Sequence, residues 1–168
     1  MKPNVSEQID KNIISTSAIQ KLLDKDAIKD LWYRNCYLID QGEVDRVIET
    51  FTEDATMDTG SFGSAEGRNA IQDMLKELFA KELLFTRHMV HMPLLEIDGD
   101  EAVGKWYLDC PSIVGNGEAV WTQGTYKHTF RRVNGEWKIY KFTFEASYVT
   151  PYDKGWAKQA FVEEKKEK

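Results

Sequence analysis

The stretch EAVWTQGTYKHTFRRVNGEWKIYKFTFEASYV, residues 118–149, reads as two long strands around a two-residue turn. Asn134–Gly135 is the dipeptide expected where both turn residues need positive φ, which lets a tight turn follow the twist of its strands. Working back along the chain, EAVGKWYLDCPSI (101–113) is another strand. FTRHMVHMPLLEIDGD (85–100) is a strand pair or one bent strand, ending in a turn at Asp98–Gly99–Asp100. Upstream the periodicity changes. GRNAIQDMLKELFAK (67–81) places Ile71, Met74, Leu75 and Leu78 at helical spacing. EVDRVIETF (43–51) gives a shorter helix with Val44, Val47, Ile48 and Phe51 on one side. A first helix is predicted to start near Asp24 or Asp26, either of which can cap it, and to stop before Gly42. Its apolar stripe is Ile28, Leu31, Trp32 and Cys36, with Asn35 among them. Three helices followed by long, largely antiparallel strands specify an α+β fold, the helices covering one face of a curved sheet. A sheet of that shape has room for a ligand-sized cavity at its open end.

Length and composition suit one domain. The chain has 168 residues, 42% hydrophobic and 30% charged, with a formal net charge of −6. Residues 1–18 read as a loosely held arm, 19–158 as the domain and 159–168 as a charged tail. The acidic balance disfavours nucleic acid and anionic membrane as partners. No run of 18 apolar residues is present, and the N-terminus lacks an apolar signal core, so the cytoplasm is the expected location. Cys36 and Cys110 lie in apolar segments and read as buried thiols. The glycine-rich GSFGSAEG lacks the lysine of a phosphate loop.

Several polar residues do not fit the packing pattern. Asp40 sits at the C-terminal end of an apolar helix, where the helix dipole disfavours a carboxylate. Either it is a solvated helix end, or it points inward to orient a histidine. His88 and His91 lie three apart in strand-like sequence. Side chains alternate faces along a strand, so the two point oppositely and do not share a metal ion. At most one lines a cavity, and alternation alone does not say which. His128, between Lys127 and Thr129, supplies no third ligand. No metal and no cofactor are expected. Tyr33, Asn35 and Tyr37 share the helix of Asp40 and are candidate hydrogen-bonding groups. Trp106, Tyr107, Asp109, Trp121, Tyr126, Phe142 and Phe144 are candidate wall residues, Trp121 also a candidate hydrogen-bonding group, with Tyr140 and Ala146 on the same face as the two phenylalanines.

Taken in order, AIKDLWYRNCYLIDQGEVDRVIETFTEDA, GRNAI, TRHMVHMPLLEIDGDEAVGKWY and GTYKHTFRRVNGEWKIYKFTFEASYVTPYDKGW resemble the SnoaL-like division of the nuclear transport factor 2-like superfamily. The resemblance spans roughly residues 20–157. It is strongest to the dehydratase and dehydrochlorinase branch, which includes scytalone dehydratase, hexachlorocyclohexane dehydrochlorinase and bile-acid 7α-dehydratase. It implies a cone-shaped fold, no cofactor, a homodimer or homotrimer, and a small hydrophobic cyclic or polycyclic substrate. It also implies a catalytic dyad of Asp40 and His88. Asn35 stands where the bile-acid enzyme has a tyrosine, and Trp106, Tyr107 and Asp109 where scytalone dehydratase has a second histidine. The implied activity is a dehydratase-like elimination. An isomerase, a polyketide-type cyclase and a noncatalytic binding or assembly module of the same fold are the alternatives.

Overall fold

Alternation governs the sheet. In the strand Glu101–Val114, the inward positions Ala102, Gly104, Trp106, Leu108, Cys110 and Ser112 are all buried, and the residues between them face outward. A computed structural model describes residues 16–162. Its elements are α1 (Thr16–Asp40), α2 (Val44–Ile48), β1 (Phe51–Asp58), β2 (Ser64–Glu66), α3 (Arg68–Lys81), β3 (Leu83–Thr86), β4 (Met89–Asp98), β5 (Glu101–Val114), β6 (Ala119–Val133) and β7 (Glu136–Pro151). The strands form one sheet in the order β2-β1-β7-β6-β5-β3, and β4 pairs the other end of β5. Every pairing is antiparallel except that of β1 with β7. The result is a curled, cone-like sheet with helices on its inner face. Among the described residues no helix is long and apolar enough to cross a membrane.

The predicted turn is present, with φ of 52° at Asn134 and 85° at Gly135. The first helix departs from expectation. It starts at Thr16, so Thr16–Ala18 belong to it, and it runs straight through Asp24. Asp24 does not cap anything. Its buried carboxylate accepts hydrogen bonds from Arg132 Nη2 (2.8 Å), Gln20 Nε2 (3.1 Å) and Trp137 Nε1 (3.3 Å). The Arg132 guanidinium also lies 4.3 Å over the Trp137 ring. This cluster fastens α1 to the β6–β7 hairpin. Of the arm expected over residues 1–18 and the tail expected over 159–168, residues 1–15 and 163–168 lie outside the described residues.

Two other expectations change. The second helix stops at Ile48 because Thr50 turns back, its N–H and its hydroxyl both donating to the Val47 carbonyl. Phe51 is then free to open β1, where it is fully buried. In β7, Tyr140 does not share a face with Phe142 and Phe144. A bulge leaves it unpaired between Thr129↔Lys141 and Phe130↔Ile139, so Ile139 turns inward instead. Tyr140 lies 3.7 Å below the Arg131 guanidinium. On β6, a Cβ at Gly124 would stand 2.3 Å from the Glu145 carbonyl oxygen and 2.6 Å from the Phe144 ring. Its absence lets Phe144 lie across β6.

The deep core is aromatic and holds one imidazole. His128 is fully buried, with ring centroids of Trp32 at 4.3 Å, Phe142 at 4.6 Å and Tyr126 at 5.2 Å. Neither of its nitrogens has a well-formed hydrogen bond. Burial pushes its pKa down to about 3 from 6.5, with slight relief from the Lys127 backbone. The folded protein therefore holds a neutral imidazole that the unfolded chain protonates below pH 6.5. Stability is full above that value and falls as pH drops toward about 3, by on the order of 5 kcal/mol. Urea denaturation at stepped pH is expected to show this acid limb, and His128→Leu to flatten it. An unchanged limb in the variant would remove His128 as its source.

Candidate active site

Asp40 is the last residue of α1. Gly42, at φ 72°, reverses the chain behind it, its N–H donating to the Ile39 carbonyl at 3.0 Å. The carboxylate is thus left at the negative end of the helix, with only 5% of its side chain exposed. It persists there because three donors converge on it. His88 Nδ1 lies 2.7 Å from Oδ1, the His88 backbone N–H donates to Oδ2 at 3.0 Å and Oδ1 at 3.2 Å, and Thr86 Oγ1 donates to Oδ1 at 2.9 Å. Burial pushes the Asp40 pKa up, but the hydrogen bonds from His88 and Thr86 and the nearby imidazole outweigh it, holding the carboxyl below its usual value. Asp40 is ionised at neutral pH.

The sheet supplies the histidine by interruption. Between β3 and β4, Arg87 keeps a hydrogen bond to the Pro111 carbonyl (3.1 Å), but the His88 N–H leaves the ladder for Asp40. His88 then points inward and His91 outward, as alternation predicts for the pair. With Nδ1 donating to a carboxylate, Nε2 is left with the free lone pair.

His88 lines a cavity of about 120 Å³ between the helices and the sheet. Its walls include Trp32, Phe51, Met57, Leu75, Phe142 and Phe144. Asn35 lines it too, with its amide nitrogen donating to Thr50 Oγ1 at 2.7 Å. The other candidates lie elsewhere. Tyr33 packs against the edge of the core, and Tyr37 is 66% exposed on the outer side of α1. Trp106 is buried behind Trp32, at 6.0 Å between ring centroids. Trp121 falls on the outer sheet face, donating to Asp109 and packing against Trp156.

Sequence reasoning named Tyr126 among the wall candidates but missed Thr86, Ser112, Thr122, Cys36 and Cys110 as lining residues. Alternation from His88 reaches Thr86, and strand register reaches the others on the sheet: Thr86 pairs Ser112, and Cys110 pairs Thr122; Cys36 belongs to the buried stripe of α1. Burial raises the pKa of the Cys36 and Cys110 thiols and of the Tyr126 phenol, so all three stay protonated. Both cysteines are free thiols.

Residues 20–143 match the family model described as a SnoaL-like domain, so the chain belongs to the SnoaL-like family. None of the proteins of curated function matches it. Among solved structures it is similar to a provisionally named scytalone dehydratase from Novosphingobium aromaticivorans, at 20% identity and TM-score 0.73, over 79% of this chain and 89% of that one. It is similar to hexachlorocyclohexane dehydrochlorinase LinA-type3 from Novosphingobium barchaimii, at 20% identity and TM-score 0.73, over 79% and 92%. LinA itself gives TM-score 0.76 at 20% identity, over 81% and 94%. At these identities the likeness establishes the nuclear transport factor 2-like fold.

Thr86→Val keeps the shape of the side chain and removes one of the donors to Asp40. Stability is expected to fall by about 1 kcal/mol, and the Asp40 pKa to rise. Carboxyl carbon NMR titration reads the second effect; an unmoved Asp40 signal would mean the Thr86 bond is not formed.

Proposed function

We propose that this protein is a cofactor-independent lyase that eliminates water or another small leaving group from a hydrophobic ring compound. The observation that carries the reading is the buried Asp40–His88 pair with its imidazole on the cavity wall. His88 Nε2 takes a proton from substrate carbon. The C–H electron pair becomes the new C=C bond as the C–O bond on the adjacent carbon breaks. Hydroxide leaves and takes that proton back from His88 as water. Asp40 holds the tautomer and stabilises the imidazolium between the two transfers. The hydroxyls of Ser112 on β5 and Thr122 on β6, which line the same cavity, bind the departing oxygen. A noncatalytic role is disfavoured because the histidine lines a cavity and is not sealed in a filled core.

Turnover of a ring substrate is expected to fall by about 10²- to 10⁴-fold in His88→Ala and in Asp40→Asn, with the fold retained at a lowered unfolding temperature because each change disturbs the buried pair. Wild-type rates in both variants would sink the dyad. Mass analysis of the product separates elimination from isomerisation or ring closure.

The partner expected from sequence is a second copy, and an apolar row supports it. Met89, Leu94, Val103 and Tyr107 are exposed on the outer face of β4 and β5, around the outward His91. Light scattering on the purified protein is expected to give a dimer or trimer, and the double variant Leu94→Lys, Tyr107→Lys a monomer. A wild-type monomer at micromolar concentration would overturn this.

A further inference from the structure

The cavity walls limit both the size and the charge of what the site can take. We infer that the cavity binds an uncharged compound built on a single six-membered ring, with one small hydrogen-bond-accepting substituent near His88. Which carbon reacts rests on the lyase reading; the limits on size and charge come from the walls alone.

Size follows from volume. The cavity offers about 120 Å³. An apolar cavity of roughly 150 Å³ holds one benzene molecule. At about 120 Å³ this space takes one six-membered ring with at most a small substituent, and a fused second ring exceeds it. The polycyclic part of the sequence expectation falls outside it. The walls cannot easily yield, because Trp32, Tyr126 and Phe142 are wedged against His128, and Phe144 against Tyr126.

Charge follows from the lining. No Lys, Arg, Asp or Glu is among the residues that face the cavity. Asp40 stands behind the His88 ring and is committed to it. A carboxylate or phosphate placed here would lose its hydration with no cation to replace it, and that cost is heavy. Neutral hydrogen-bond donors are present instead. Among the described residues, the hydroxyls of Thr122 and Tyr126 have no hydrogen-bond partner although both residues line the cavity, and Ser112 Oγ has only the Cys110 thiol at 3.5 Å. Thr122 and Ser112 lie at the His88 end. They suit a carbonyl, hydroxyl or halide, while the aromatic walls meet the ring edges and faces.

Fluorine NMR of the wild-type protein with fluorobenzene as reporter tests this without any need for turnover. Fluorobenzene is expected to bind, with NOEs to the Met57 methyl and Leu75 methyls. Cyclohexanone should displace it, and 2-naphthol and benzoate should do so at least tenfold less well. Leu78→Trp, at a half-buried lining position, should abolish binding; if that variant does not fold, the wild-type NOEs decide. No fluorobenzene binding, NOEs to other residues, or displacement by 2-naphthol or benzoate at concentrations like those of cyclohexanone would overturn the inference. Binding retained in His88→Ala, with no turnover of any bound ring compound by wild type, would sink the lyase reading and leave this one standing. Dyad-dependent turnover of a fused polycycle would do the reverse.

Discussion

The Asp40 carboxylate is the constraint on which the site depends. It is held out of water at the wrong end of a helix dipole, and only converging donors make that position tenable. Two of those donors belong to one residue, the ring and the backbone N–H of His88. Side chain and main chain are therefore fixed together. The bond that orients the imidazole also holds the break between β3 and β4 and pins the end of α1 over the sheet. Fold and site are coupled at this point.

The cavity has an equally local cause. Along the inner face of β5 and β6, side chains change from large to small. Trp106, Tyr126, His128 and Phe130 fill the deep part with interlocked rings. Toward His88 the inward residues are Cys110, Ser112 and Thr122, which leave room. The same curled sheet is a packed core at one end and a chamber at the other. The graded sizes of its inward residues decide where one gives way to the other.

Legibility in the sequence followed the range of the interactions. Strand alternation and the Asn134–Gly135 turn are local and were readable, as was the opposite facing of His88 and His91. The pairing of Asp40 with His88 spans 48 residues, and family resemblance, not periodicity, pointed to it. Asp24 was mistaken for a helix cap because its partners Arg132 and Trp137 lie more than a hundred residues away. Tyr140 was put on the wrong face because a bulge depends on the neighbouring strand's register. Trp121 was drawn into the site by its chemistry, although alternation with Tyr126 already placed it on the other face. Tyr37 failed for a similar reason: sharing a helix with Asp40 does not mean sharing its inward face.

The pairing of the first strand with the last has a consequence for biosynthesis. β1 finds its parallel partner only in β7, and α1 is clamped through Asp24 to residues of the final hairpin. During translation, a chain that has emerged as far as β5 has neither contact to close. Its α1 can reach β4 and its α3 can reach β1 to β3, but the faces that β6 and β7 cover stay open until the C-terminal hairpin leaves the ribosome. The closing contacts of the fold therefore form late, and a nascent chain cut short before residue 132 lacks both the β1–β7 pairing and the Asp24 clamp.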